Sequence, residues 1–132
     1  MAIETRHLSV LIARPADEVY AFAADPANLP QWAAGLSSGI EQLDGQWVTQ
    51  SPMGQVVVTF APVNEFGVLD HQVTLPSGET FYNPLRVIAD SDGSELIFTN
   101  RREKGVELAD YERDCAMIET DLQTLKGILE AT

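Results

Sequence analysis

The sequence is poor in cysteine, in basic residues and in long apolar runs, and each shortage excludes something. A single cysteine, Cys115, in 132 residues rules out an internal disulfide; it lies on an apolar helical stripe and reads as a small core residue. Eight Lys and Arg stand against 20 Asp and Glu, a net charge of −12. Phosphate backbones and anionic lipids call for a basic surface, so nucleic acid is not expected as a partner. The acidic residues are spread along the chain and read as a solvated surface. No apolar run approaches the ~20 residues of a membrane span, so membrane insertion is not expected. The opening, MAIETRHLSV, lacks the basic-then-apolar layout of a secretory signal, which makes the cytoplasm the expected compartment. The two histidines, His7 and His71, are far apart and belong to no Cys/His cluster, so no metal site is expected. No nucleophile motif or phosphate-binding glycine loop occurs, and no cofactor is expected.

What is present is a helix that the rest of the chain must cover. Leu108, Tyr111, Cys115, Ile118, Leu122, Leu125 and Leu129 recur at spacings of three and four, the period of one helical face. At about 1.5 Å per residue this helix runs roughly 33 Å, the width of a small domain. Apolar content of 45 % and charged content of 21 % fit one globular domain spanning residues 1–132. The oligomeric expectation is a monomer or homodimer.

The segments before the helix read mostly as strands. Thr5 to Ile12 alternates, Leu8, Val10 and Ile12 against His7, Ser9 and Leu11, and predicts a strand with both faces at least partly covered. Pro15, with Asp17 and Glu18 in the first turn, opens a helix over Ala16 to Ala24 that Asp25-Pro26 ends. A second short helical piece over Ala27 to Gln31 leads to Trp32. Ala33 to Ser38 is small and flexible. Strands follow over Ile40 to Leu43 and Gln46 to Gln50, joined by Asp44-Gly45, a strong hairpin signal. Ser51-Pro52-Met53-Gly54 is a turn, and Gln55 to Ala61 is a β-branched strand. Val68 to Leu75, Thr80 to Ala89 and Glu95 to Arg101 complete about seven strands; Pro84 within the second of these marks an edge or bulge.

This order, with the residues VLIARPADEVYAFAADPANLPQW, DHQVTLPSGETFYNPLRV, GSELIFT and ERDCAMIETDLQTLKGIL, resembles the START-like or SRPBCC superfamily. That superfamily includes the birch-pollen allergen and bacterial polyketide cyclase/dehydrase-like proteins. The resemblance implies an α+β helix-grip fold: a curved antiparallel sheet of about seven strands around a long C-terminal helix, with two short helices after the first strand. It further implies a cavity between sheet and helix that takes an apolar or amphipathic molecule.

Within that frame certain residues stand out. Alternation in Val68 to Leu75 puts Leu69, His71, Val73 and Leu75 on one face and Val68, Asp70, Gln72 and Thr74 on the other. His71 is then either a general acid/base or hydrogen-bonding group for a ligand, or a core histidine satisfied by a neighbour. In the next strand Tyr82, Pro84 and Arg86 alternate with Phe81, Asn83, Leu85 and Val87. Arg86 either reaches a ligand carboxylate or a helix acid, or faces solvent. Asn83 is a ligand contact or a turn stabiliser. Projection at 100° per residue sets Asp114 and Asp121 beside the helical stripe; Asp114 is the acid that could act with His71 or Arg86, or a solvated flank. Trp32 and Tyr111 are placed at a pocket rim. With Tyr82, Phe98 and Ile118 these residues form the candidate contact set. Three functions are compatible: a carrier or binding protein for a hydrophobic or aromatic small molecule, a polyketide cyclase/dehydratase-like enzyme using His71, and a protein-interaction module.

Overall fold

The structure is a computed structural model that describes residues 1–36, 38–52 and 54–131; Met53 of the 51–54 turn and Ser37 of the 33–38 stretch lie outside the described residues. In chain order the strands are β1 (Ala2–Ile12), β2 (Glu41–Leu43), β3 (Gln46–Ser51), β4 (Gly54–Phe60), β5 (His71–Thr74), β6 (Thr80–Asn83), β7 (Leu85–Asp90) and β8 (Gly93–Glu103). The helices are α1 (Ala16–Ala23), α2 (Leu29–Trp32) and α3 (Leu108–Glu130), with 3-10 turns at Pro26–Asn28 and Ala34–Leu36. This is the α+β helix-grip architecture.

Among the described residues there are eight strands, where about seven were expected, in two antiparallel sheets, β1-β8-β7 and β2-β3-β4-β5-β6. The extra strand comes from Pro84, which divides the expected 80–89 strand between the sheets. Proline has no N–H to give the ladder, and here its carbonyl accepts from Thr99 N at 3.1 Å. The seam is spanned by a Val68–Arg86 bridge and by Leu69 N donating to Leu85 O at 2.8 Å. The strand expected over 68–75 is shorter because its start is spent on this seam. Gly67 sets the geometry there: its φ is +73°, and a Cβ would stand 2.2 Å from Val87 O, so only glycine fits.

β1 and β8 pair along nearly their whole lengths. Leu8, Val10 and Ile12 are buried, as alternation predicts, but the opposite face is open to solvent, with Leu11 61 % exposed. The expectation that both faces are covered does not hold. The Asp44-Gly45 hairpin has both residues at positive φ, 52° and 80°, the requirement of a tight two-residue turn. Asp25 accepts from Ala27 N at 3.0 Å and caps the 3-10 turn that follows α1, satisfying an otherwise orphaned donor.

α3 buries Tyr111, Cys115, Leu122, Leu125 and Leu129, packing chiefly on β1 with further contact to β8 and α2. Leu108 stays 44 % exposed, so the buried stripe starts one turn later than its periodicity suggests. Both ends of the helix are tied to the β layer. Tyr111 donates to Asn100 O at 2.6 Å and Asn100 to Asp114 at 3.1 Å. At the other end Lys126 donates to Leu11 O at 2.7 Å and Glu130 accepts from Ala13 N at 2.8 Å. Among the described residues no helix is long and apolar enough to cross a membrane.

Candidate functional site

Two spaces lie along the same flank of α3. The inner one is a small, mostly apolar cavity of about 90 Å³. Leu29, Trp32 and Leu36 cover it from the α2 side; Val58, His71, Val73 and Phe98 form its strand wall; Ile118, Asp121 and Leu122 form its helix wall. The outer one is an open groove of about 890 Å³ between β6, the end of β8 and the first turns of α3. Val73 lines both.

The candidate residues divide between these spaces. Trp32, His71, Phe98 and Ile118 surround the inner cavity, whereas Tyr82, Asn83, Tyr111 and Asp114 line the groove. Arg86 lines neither. His71 stacks on Phe60 with ring centroids 4.9 Å apart and meets Phe98 edge-on at 6.3 Å. Its Nδ1 lies 3.1 Å from Leu69 O. A carbonyl only accepts, so Nδ1 carries the proton and Nε2 of the neutral ring is an acceptor. Burial pushes the imidazole pKa down, opposed by the Leu69 carbonyl and by Asp70, so the ring is neutral near pH 7.

Trp32 is buried at 6 % exposure, and its Nε1 meets no acceptor among the described residues. The acid at this cavity is Asp121, about two helical turns further along the same flank than Asp114. Asp121 accepts from Ala34 N at 3.2 Å. Its pKa is raised, first by burial and further by Asp114, with the Ala34 amide pulling the other way.

Asp114 is exposed and accepts from Asn100 in the groove; the structure does not bring it to His71. Asn83 spends its amide on the carbonyls of His71 and Phe81, at 3.4 and 3.3 Å, which ties β6 to β5. Tyr111 is buried, not at a rim, and holds the helix start through Asn100; the Arg6 guanidinium lies 5.1 Å from its ring centroid.

Arg86 pairs with an acid that neither a ligand nor the helix supplies. Asp70 accepts from Arg86 Nε and Nη2, from Leu85 N, and from Tyr82 Oη. The alternation did carry a signal for this cluster, since Asp70, Tyr82 and Arg86 all fall on the face opposite the core. Asp121, Leu36 and Val58 were not singled out as cavity wall; the first was visible only as a neighbour of Asp114 on the flank. Among the described residues no group of three or more His, Cys, Asp or Glu is placed to hold a metal ion.

The fold and the space beneath α3 define a helix-grip domain, and solved structures agree. The crystal structure of Ara h 8.0201 matches with a TM-score of 0.69 at 12 % identity, covering 98 % of this chain and 99 % of that one. An uncharacterized protein from Bacillus thuringiensis gives 0.71 at 13 %, covering 95 % and 98 %. DynU16, from the dynemicin biosynthetic locus, gives 0.69 at 16 %, and there the match spans 96 % of this chain but only 47 % of that one. At such identities the likeness is one of fold. No family model and no curated protein matches the sequence.

Proposed function

We propose that the protein binds a small hydrophobic or aromatic molecule in the space between its strands and α3. The observation that carries this reading is the inner cavity, whose wall combines apolar and aromatic side chains with a few polar groups. That composition is typical of small-molecule sites. At about 90 Å³ the cavity is smaller than the ~150 Å³ that holds benzene when dry. A bound molecule therefore places at most one ring inside, with slight opening, and extends any remainder past Val73 into the groove. Burial of apolar ligand surface at ~25 cal/mol per Å² supplies the affinity.

A second reading, an enzyme in which His71 moves protons, draws support from the neutral imidazole in the cavity wall. Its expected partner Asp114 is engaged elsewhere. The binding reading needs no such partner and is preferred. An interaction module would be expected to have a filled interior.

The test is a thermal-shift screen of neutral one- and two-ring compounds against the wild type and Ile118→Phe, which fills the cavity from the helix side. The expected result is stabilisation of the wild type by at least one compound class and its loss in the variant. No shift with any compound, together with a native mass spectrum free of co-purifying small molecules, would sink the proposal.

A further inference from the structure

We infer that the molecule bound in the inner cavity is neutral and presents a hydroxyl group, accepting from Trp32 Nε1 and donating to His71 Nε2. The inference rests on the cavity reading above and adds the chemical class. Both rings stand in the wall of the same 90 Å³ space. One offers a buried N–H with no acceptor; the other offers a ring nitrogen whose partner nitrogen is already bound to Leu69 O. A buried donor without an acceptor carries a desolvation cost that a ligand oxygen removes. An O–H group is the simplest function that both accepts and donates. A hydrocarbon leaves both groups unmatched, and a ketone or ether leaves His71 without a proton donor.

Charge argues for neutrality. Asp121 shares the cavity, and the whole chain carries −12, so a ligand carboxylate meets like charge. The stacking of His71 on Phe60 at 4.9 Å fixes the ring plane, so Nε2 is held in place before anything binds, which lowers the ordering cost. An aromatic alcohol of one ring fits these terms best.

Phenol, toluene and benzoate are close in shape and differ in the group that matters. They are titrated into the intact protein and followed by NMR, using the indole N–H resonance of Trp32, distinguished from that of Trp47 with Trp47→Phe. Phenol is expected to bind about tenfold more tightly than toluene and to move the Trp32 indole proton downfield, with benzoate the weakest. Trp32→Phe keeps a ring in the wall and removes the donor; it is expected to retain toluene binding and lose most of the preference for phenol. If that variant fails to fold, the wild-type resonance still decides. Toluene or benzoate binding as well as phenol, with the indole proton unmoved, overturns the hydroxyl assignment while leaving the cavity reading intact. Absence of binding by all three, with no compound active in the broader screen, removes both.

Discussion

Asp70 and Arg86 are joined by two hydrogen bonds, 3.1 Å from Nε and 3.0 Å from Nη2, across the seam where the two sheets meet. The same carboxylate takes the Leu85 amide at 2.9 Å and the Tyr82 hydroxyl. It thus fastens both sides of the Pro84 break, β6 through Tyr82 and β7 through Leu85 and Arg86. Burial alone would raise the Asp70 pKa; the bonds from Arg86, Tyr82 and Leu85 outweigh it and hold it at about 2, below the ordinary 3.8.

Asp70→Asn tests this fastening. A depressed carboxyl pKa contributes stability that is full above the ordinary value and is lost as pH falls from 3.8 toward 2. Arg86 is half exposed at 52 %, so solvent screens the pair and the contribution is on the order of 1 kcal/mol. Urea unfolding is expected to show the variant less stable by that amount at pH 7, with the gap closing below pH 4. A gap of constant size from pH 7 to pH 2.5 would mean that the charge is not what matters.

Asp121 has the opposite sign. Its raised pKa means that the folded state favours the protonated form, so its contribution is full below the ordinary 3.8 and is lost as pH rises through the folded value. Asp121→Asn keeps an oxygen for Ala34 N and removes the ionisation. The melting temperature at pH 7 is expected to rise by a few degrees at most, with little difference at pH 3. A lower melting temperature at pH 7 would show that the ionised carboxylate is favourable where it sits.

Gly67→Ala is expected to destabilise the protein by about 2–4 kcal/mol, since it combines a positive-φ strain with a clash against the Val87 carbonyl. Gly78 supplies the control: its φ is +91°, but a Cβ there meets nothing within 4 Å. Gly78→Ala should cost only about 1 kcal/mol. Equal losses from the two substitutions, measured by urea unfolding, would contradict the clash at Val87.

The elements with strong local signals were legible in the sequence. The periodicity of α3, the alternation of β1 and the Asp44-Gly45 turn each depend on neighbours within a few residues. Pro84 was readable as an irregularity, but its consequence, a change of sheet, depends on Gly67 and Leu69 of a distant segment bonding to Val87 and Leu85 just beyond it. The candidate site follows the same division. Alternation put His71 on the inner face. It could not say which turn of the helix stands opposite. Asp114 and Asp121 share one flank and differ by two turns, roughly 10 Å along the axis. That offset is set by how α3 is tied at Asn100 and Leu11, which no periodicity reports. Arg86 and Asp70 likewise share an outward face in the pattern, yet their meeting requires the register of the seam.

The tethers of α3 also say where the cavity can give. A rod fixed near both ends, through Tyr111 and Asp114 at one and Lys126 and Glu130 at the other, resists tilting toward or away from the strands. The cover over residues 29–36 is a different kind of element: one turn of helix and a 3-10 turn, joined to α3 by apolar packing and by the Asp121–Ala34 bond. Short elements with few such ties open at lower cost than long ones. On the proposed binding reading, adaptation to guests of different size falls to the cover, and the helix acts as the fixed ruler against which they are measured.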